Sequence, residues 1–493
     1  MFVKTLKVAL GNEKNVGVLL PSSSIGAIIN MTLMVMGKVP VNLNYTLSPE
    51  VMEKALKKAN ISQVITSEKF LDKLNAKGFD FSQVVADKAL FMENLGKSIT
   101  KANKVRSFLT AFLAPQWWIK LRYFADVSLE DNATILFSSG SEGDPKGIEL
   151  SHKNLLTNIK QIGELLNFHK DDVILNSLPI FHSFGLTVTT LLPLCEGIKM
   201  VSVADPTDGA TVGKMCARHR VSILFGTSTF FRLYVRNKKF HPLMLQNVRM
   251  VIAGAEKLKA DVKEAFKLKF GLEIYEGYGA TETAPVASVN MPNLLEPETL
   301  QEFTFNQAGT VGMPLPGTII KIVDPESLQE LPVGEDGLIL IGGGQVMKGY
   351  LNAPEKTAEV IVEIDGVRYY KTGDKGHIDH NGFITIVDRY SRFAKVGGEM
   401  ISLGSVEEKL SQVFDEENQF VAVALSDDKK GESIVLLIKS ALSLDEINER
   451  IKGLNVPPIM LPSQVFLVDE IPMLGSGKVD FKGAKNLAMS LVK

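Results

Sequence analysis

Short apolar runs alternate with segments of helical periodicity along roughly the first 290 residues. Residues 174–178, 223–225 and 251–253 are runs of the buried-strand type, each flanked by stretches with helical spacing. Such alternation is typical of α/β layers that contain substantial parallel sheet. The sequence therefore predicts an α/β fold.

The residue composition and the spacing of apolar residues change twice further along the chain. From about residue 305 to 388, glycine and proline punctuate short alternating runs, which predicts a β-rich subdomain. Beyond 389 we expect strands at 420–425 and 434–438 and helices near 405–413 and 444–452. The expected organisation is a large N-terminal domain of layered α/β subdomains, residues 1–388, and a small mobile α+β domain, residues 389–493.

Charge and cysteine content exclude several classes of protein. The chain has 54 Lys and Arg against 56 Asp and Glu, a net charge of −2, so no overall field favours nucleic acid. Two cysteines are too few to cross-link a chain of 493 residues, which indicates a reducing compartment. The N-terminus lacks a secretory signal, and the uncharged stretch 15–37 is interrupted by Pro21, so we expect no transmembrane helix. The predicted location is the cytoplasm.

The segment from Lys101 to Phe124 differs from the rest of the chain. Basic residues surround aromatic ones here, and both tryptophans of the chain, Trp117 and Trp118, lie within it. A helix that lies on an anionic bilayer needs this composition, so peripheral contact with the inner face of the cytoplasmic membrane is one interpretation. A core helix interrupted at Pro115 and a cap over an apolar pocket are two further interpretations.

A phosphate-binding loop is predicted in ILFSSGSEGDPKG, residues 135–147. An apolar strand leads into a loop whose small residues let backbone N–H groups turn toward an anion, and a lysine adds positive charge. The spacing does not fit a Walker A loop. The candidate nucleotide-binding residues are Ser138, Ser139, Gly140, Ser141, Gly143 and Lys146.

Further blocks follow this loop in a fixed order. They are YEGYGATE at 275–282, YKTGD at 370–374, Asp388-Arg389, and GSGK at 475–478. The ordered set resembles the adenylate-forming superfamily of acyl-CoA synthetases, luciferases and peptide-synthetase adenylation domains. Stretches such as LPIFHSFGLTVTTLLPL and FAKVGGEMIS are similar to the acyl-ACP synthetase half of the bifunctional 2-acylglycerophosphoethanolamine acyltransferase/acyl-ACP synthetase family.

The resemblance implies roles for the residues that act on ATP. Lys478 would bridge the substrate carboxylate and the α-phosphate, Thr281 would contact the α-phosphate, and Glu282 would hold Mg²⁺. His182 matches an aromatic position that gates the acyl or thiol channel.

The resemblance also implies a nucleoside site. Tyr278 would stack on adenine, and Asp374 and Arg389 would bind the ribose. The rest of the expected nucleotide pocket consists of Gly254, Ala255, Glu256 and Gly279. Two positions depart from the superfamily pattern: Glu142 replaces a threonine, and Ser391 stands where the domain pivot is an Asp or Lys.

The implied function is that of an ATP- and Mg²⁺-dependent ligase in fatty acid metabolism and phospholipid remodelling. It would activate a long-chain fatty acid as acyl-AMP and transfer it to the pantetheine thiol of acyl carrier protein. Coenzyme A is the second candidate acceptor, because the balance of charge in 389–493 does not favour an acidic partner. A non-catalytic acyl or nucleotide sensor and an oxidative luciferase-type enzyme are two rival hypotheses for the function.

Overall fold

The computed structural model describes residues 2–138, 145–397, 399–415, 418–427, 431–473 and 479–492. The chain forms two compact units. The first comprises 1–320, 340–371 and 381–384, and the second comprises 321–339, 372–380 and 385–493. Segments 321–339 and 372–380, which the sequence analysis assigned to the N-terminal domain, therefore pack with the C-terminal part of the chain. The domain boundary at 388/389 stays a prediction.

The first unit contains two layered sheets. Among the described residues, seven strands form the first sheet. In spatial order they are Gly349–Tyr350, Lys146–Ser151, Asn132–Ser138, Val39–Asn42, Asn15–Val18, Val64–Thr66 and Ala89–Phe91. The central strands run parallel, with Asn15 opposite Val39 and Gly17 opposite Val64. Strand Lys146–Ser151 returns antiparallel to Asn132–Ser138 and so brings Lys146 opposite Ser138.

The second sheet also has seven strands within the described part of the chain. Their order is Met313–Pro314, Val286–Val289, Ile274–Gly279, Met250–Ala253, Ile223–Gly226, Val173–Asn176 and Lys199–Ser202. The strands predicted at 223–225 and 251–253 are confirmed here. The strand predicted at 174–178 is also present but ends two residues earlier, at Asn176, and the three strands pair in parallel. Their apolar side chains are buried because helices cover the sheet, as parallel sheets require.

Helix His152–Leu166 and the π-helix Phe184–Leu191 share one core with residues of both sheets. Residues 185–191 of the π-helix are all buried. The hydroxyl groups of Thr189 and Thr190 each donate to the carbonyl oxygen of Gly185, at 2.9 Å. These bonds give the two threonine hydroxyl groups a partner inside an apolar core.

The first unit contains further helices, most of which pack against its sheets. The helix after the first strand has a capped start, since the Ser23 side chain accepts a hydrogen bond from the backbone N–H of Gly26. The helices are Phe2–Leu10, Ser24–Val35, Pro49–Lys58, Glu68–Asn75, Ser82–Val85, Met92–Lys97, Lys101–Leu113, Gln116–Tyr123, Leu192–Glu196, Gly209–His219, Ser228–Arg236, Ala260–Phe270 and Pro354–Val360, with 3-10 turns at Pro242–Leu245 and Thr281–Thr283.

Strands dominate the stretch that the sequence predicted to be β-rich. They are Ile319–Val323, Gly337–Gly342, Ile361–Ile364, Val367–Ile378 and Ile384–Arg389. Strands Ile361–Ile364 and Val367–Ile378 pair antiparallel, with Ile361 opposite Tyr370. The chain passes from one unit to the other within four of these five strands.

The C-terminal part of the second unit is an α+β structure. Its described sheet has the order Glu399–Ser402, Phe393–Val396, Gly431–Lys439 and Gln419–Asp427, and Gln464–Leu467 pairs with Gly431–Lys439. Helices Leu403–Leu410 and Leu444–Lys452 share one apolar core, and helix Phe481–Leu491 contributes to another. The predicted strands at 420–425 and 434–438 and the predicted helices are confirmed.

The segment from Lys101 to Phe124 forms two short helices, Lys101–Leu113 and Gln116–Tyr123, with Pro115 between them. No residue of either helix is buried. The interpretation as a core helix is therefore wrong. Across the described ranges of the chain, no helix has the combined length and apolar character needed to cross a bilayer.

Candidate active site

Two strands of the first sheet flank the predicted phosphate loop. Ser138 ends one strand and Lys146 begins the next, and the two residues pair across the hairpin. Both side chains are half-buried. The predicted loop residues Ser139, Gly140, Ser141 and Gly143 lie outside the described residues, as does Glu142.

A tight turn after strand Ile274–Gly279 presents Thr281 and Glu282. The backbone N–H of Ala280 donates to the carbonyl oxygen of Pro285 at 3.0 Å, and the Thr283 hydroxyl donates to the same oxygen at 2.8 Å. A Cβ atom on Gly279 would lie 1.9 Å from that oxygen, so only glycine fits there. The turn thus fixes the backbone on both sides of Thr281 and Glu282.

Tyr350 links Glu282 to Lys146. The Tyr350 hydroxyl donates to Oε1 of Glu282 at 2.9 Å, and Nζ of Lys146 lies 5.3 Å from the centre of the Tyr350 ring. Tyr350 is buried. Burial and the adjacent Glu282 carboxylate raise the pKa of Tyr350 far above its usual value, so its hydroxyl stays protonated and donates.

Sequence reasoning missed Tyr350, because its partner Glu282 stands 68 positions away. The pairing of Gly349–Tyr350 with Lys146–Ser151 brings Tyr350 opposite Ile148, two positions after Lys146. No local pattern indicates this pairing. The cluster of Lys146, Tyr350 and Glu282 combines a cation and a carboxylate beside the predicted phosphate loop.

The segment that contains His182 approaches the same turn. The Ser183 hydroxyl lies 3.3 Å from the Thr281 hydroxyl oxygen, and Ser183 is buried. The half-buried His182 ring packs 4.5 Å from the ring of Phe181, centre to centre. His182 and Thr281 are therefore brought to one region, and Ser183 is a residue of that region that the sequence analysis did not single out.

The predicted adenine-pocket residues follow the carboxyl end of strand Met250–Ala253. The Phe184 ring would lie 3.2 Å from a Cβ atom on Gly254, so this glycine lets the ring approach the backbone. Ala255 has a positive φ of 70°. The Glu256 carboxylate accepts a hydrogen bond from the backbone N–H of Thr229, at the start of a helix.

Tyr278 lies on the adjacent strand, at a bulge between Tyr278 and Gly279. Strands Met250–Ala253 and Ile274–Gly279 run parallel. The residues that follow their carboxyl ends share one edge of the sheet. Ligands of open α/β sheets bind outside this edge.

Asp374 and Arg389 belong to the second unit, where they contact each other. Nε of Arg389 lies 3.2 Å from Oδ1 of Asp374. Asp374 is buried, and its backbone N–H donates to the Thr372 hydroxyl at 3.0 Å, whereas the Arg389 side chain is exposed. The predicted catalytic Lys478 lies outside the described residues.

The residue before Arg389 has a structural role that the sequence analysis did not predict. Oδ2 of Asp388 accepts hydrogen bonds from the Ser402 hydroxyl, at 2.6 Å, and from the backbone N–H of Gly404, at 2.8 Å. Asp388 therefore fixes the start of helix Leu403–Leu410. Ser391, the predicted pivot, lies in the single turn Tyr390–Arg392.

Comparison with known proteins places this chain in a family. Residues 4–351 match the family described as "AMP-binding enzyme". The long-chain-fatty-acid–CoA ligase of Salmonella typhimurium is 26% identical over 501 residues, which cover 97% of this chain and 86% of that relative. The 4-coumarate–CoA ligase 3 of Oryza sativa subsp. japonica is 32% identical over 363 residues, or 72% of this chain and 64% of that relative.

Solved structures share the fold. ATP-bound MatB from Rhodopseudomonas palustris has a TM-score of 0.81 at 24% identity, over 100% of this chain and 92% of MatB. The o-succinylbenzoate CoA synthetase MenE from Bacillus subtilis, in complex with its acyl-adenylate, has a TM-score of 0.77 at 21% identity, over 98% of this chain and 90% of MenE. The match to the family covers most of the chain, and the predicted fold class is confirmed. The chain belongs to the AMP-binding enzyme family and is an ATP-dependent ligase of its acyl-adenylate-forming class.

Proposed function

We propose that the chain activates a long-chain fatty acid as acyl-AMP and transfers the acyl group to the pantetheine thiol of acyl carrier protein. In the first step a carboxylate oxygen attacks the α-phosphorus of ATP, and the bond to pyrophosphate breaks. In the second step the thiol sulfur attacks the acyl carbon, AMP leaves with the bonding electrons, and the thiol proton passes to solvent. The observation that carries this proposal is the cluster of Lys146, Tyr350 and Glu282 beside Thr281.

The cluster suits the phosphate end of ATP. Glu282 offers carboxylate oxygen, the ligand type that Mg²⁺ prefers, and in such sites phosphate oxygens and water complete the coordination. When bound, Mg²⁺ would neutralise charge on the phosphates and on the departing pyrophosphate. Lys146 would add positive charge, and the Thr281 hydroxyl would donate to an α-phosphate oxygen. Tyr350 holds the Glu282 carboxylate in place.

The remaining roles are proposed from the family resemblance. Tyr278 would stack on adenine, and the pocket would include Gly254, Ala255, Glu256 and Gly279. The Asp374 carboxylate would accept from the ribose hydroxyls and Arg389 would donate to the ribose. Lys478 would bridge the substrate carboxylate and the α-phosphate, and His182 would line the acyl or thiol channel.

The acyl group has two candidate acceptors, the pantetheine thiol of acyl carrier protein and the thiol of coenzyme A. The similarity to the acyl-ACP synthetase family supports carrier protein, and exposed Lys482 and Lys485 on helix Phe481–Leu491 supply positive charge for an acidic partner. Coenzyme A is the second candidate, because the relatives named above are CoA ligases. The two acceptors share the first half-reaction.

The decisive experiment measures both half-reactions. We expect pyrophosphate release that depends on fatty acid, labelled AMP bound to the acid, and thioester formation on holo-carrier protein across a ladder of chain lengths. Lys478→Ala should abolish adenylation. The matched control is Lys267→Ala, which removes an exposed lysine of helix Ala260–Phe270 and should leave adenylation unchanged.

Three results would contradict the proposal at different levels. If the enzyme acylates coenzyme A efficiently and leaves holo-carrier protein unacylated, the acceptor is coenzyme A, the second candidate. Nucleotide binding without pyrophosphate release would favour a sensor. Oxygen consumption coupled to adenylation would favour a luciferase-type enzyme.

A further inference from the structure

The segment from Lys101 to Phe124, here called the basic-aromatic segment, exposes an unusually large apolar surface. In helix Lys101–Leu113 the apolar residues stand at positions that share one helical face: Val105, Phe108, Leu109, Phe112 and Leu113. All five are exposed, and Phe112 is 79% exposed. Contiguous exposed apolar surface of this kind marks an interaction site.

The apolar surface continues into the second helix. Trp117 is 66% exposed, and Trp118, Leu121 and Phe124 are exposed as well. The rings of Phe108 and Phe112 stack on each other with 6.3 Å between centres. Trp and Phe side chains are the residues that amphipathic helices bury at the boundary between headgroups and acyl chains.

The positive charge of the segment indicates that it binds an anionic surface. Within residues 101–124 there are five basic residues and no acidic residue; the basic ones are Lys101, Lys104, Arg106, Lys120 and Arg122. The neighbouring helix Phe2–Leu10 adds Lys4, whose Nζ lies 5.8 Å from the centre of the Tyr123 ring. A surface that is both apolar and basic complements an anionic bilayer.

The geometry limits how the segment can bind a membrane. Its helices have 13 and 8 residues, so at 1.5 Å per residue the longer one extends only about 20 Å, less than the hydrocarbon thickness of a bilayer. A parallel orientation at the surface fits these lengths. Self-association of two copies through this face is disfavoured, because it would bring ten basic residues together without an acidic partner in the segment.

We infer that the basic-aromatic segment docks the protein on an anionic lipid bilayer, with its aromatic side chains inserted at the level of the headgroups. Docking itself requires neither ATP nor fatty acid and does not rest on the proposed function. If the substrate is a long-chain fatty acid, docking also brings the enzyme to the surface into which that acid partitions.

The two tryptophans make the inference directly measurable. The chain contains only Trp117 and Trp118, so its intrinsic tryptophan emission reports on this segment alone. The 493-residue chain is mixed with vesicles of phosphatidylcholine or of phosphatidylcholine and phosphatidylglycerol in equal parts. We expect a blue shift and co-sedimentation with the anionic vesicles, both weakened by salt.

Two double variants test the apolar and the electrostatic contributions to membrane binding separately. The double variant Phe108→Ser, Phe112→Ser should lower the partition constant onto anionic vesicles at least roughly tenfold, because it removes buried apolar area. The double variant Lys104→Gln, Arg106→Gln should lower the same constant roughly 25-fold, which is roughly fivefold for each charge removed. The matched control is Leu243→Ser with Leu268→Ser, which removes two similarly exposed apolar side chains elsewhere and should change nothing. All four substituted positions of the segment lie on its unburied helix, so thermal unfolding should stay as in the parent chain.

The following outcomes would overturn the inference that this segment docks on a membrane. No blue shift with anionic vesicles, or equal binding to both vesicle types, would refute docking by this surface. Sedimentation of a dimer without vesicles, abolished by the phenylalanine variant, would assign the surface to a second copy of the chain.

Discussion

Removal of the Tyr350 hydroxyl tests whether Glu282 must be held in one orientation. In Tyr350→Phe the ring remains, so the packing of the buried side chain and its contact with Lys146 are retained. The variant removes the 2.9 Å hydrogen bond to Oε1 of Glu282 together with the hydrogen bond between the Tyr350 and Tyr370 side chains. Without the bond to Oε1, the Glu282 carboxylate can turn away from the phosphate site.

The size of the effect follows from the charge on the acceptor. A hydrogen bond to a charged group contributes about 1.5–3 kcal/mol. If this bond orients the carboxylate toward Mg²⁺ and the phosphates, the variant should lose roughly 10- to 100-fold in kcat/KM for adenylation, at about 1.4 kcal/mol for each factor of ten. The Mg²⁺ concentration at half-maximal rate should rise.

The assay is fatty-acid-dependent pyrophosphate release at several Mg²⁺ concentrations. Because burial and Glu282 keep the pKa of Tyr350 far above its usual value, the ratio of variant to parent rates should be constant between about pH 6 and 9. The matched control is Tyr234→Phe, which removes a buried hydroxyl that donates to the Pro206 carbonyl at 2.9 Å. This control should lose about 1 kcal/mol of stability and keep its rate.

A clear result would refute the reasoning. If Tyr350→Phe adenylates at the parent rate and with the parent Mg²⁺ dependence, while its free energy of unfolding falls as in the control, the hydrogen bond serves folding alone. The proposed role of Glu282 would then have to be tested without Tyr350.

Three further predictions concern stability, the turn and the metal. Asp172 is 3% exposed and lies 2.7 Å from Arg249; burial acts to raise its pKa, but hydrogen bonds from Arg249 and Ser222 outweigh burial and lower the pKa to about 2. Because this folded-state pKa lies below the unfolded value, Asp172→Asn should cost about 2 kcal/mol of unfolding free energy, measured with urea at pH 7. The difference between variant and parent should disappear as the pH falls from about 4 to 2. Gly279→Ala should abolish adenylation, measured by pyrophosphate release, because its Cβ atom would lie 1.9 Å from the Pro285 oxygen. Chelation with EDTA should stop adenylation and added Mg²⁺ should restore it in the same assay; activity that survives chelation would contradict the role of Mg²⁺.

Local patterns predicted the elements that depend on local physics. The runs at 223–225 and 251–253 are strands because continuous apolar side chains suit a sheet covered on both faces. The helix expected at 444–452 has these same bounds, and the reason is visible in the sequence: Ser443 and Glu446 form a capping box.

Contacts between distant parts of the chain could not be predicted in this way. The Tyr350–Glu282 bond depends on the pairing of a two-residue strand, and the role of Asp388 depends on the helix start at Ser402, 14 positions away. The division of the β-rich stretch between two units follows from which segments pack together, and its alternating pattern contains no information on that choice.

The π-helix Phe184–Leu191 has a consequence for length variation in this chain. A π-turn accommodates roughly one residue more than an α-turn. Deleting one residue there would let the segment take the tighter α pitch, so the side chains after the deletion would keep roughly their directions. In an α-helix such as His152–Leu166, a deletion would instead rotate every following side chain by about 100°. Although residues 185–191 are all buried, this interior wall should therefore tolerate the loss of one residue better than a regular helix would.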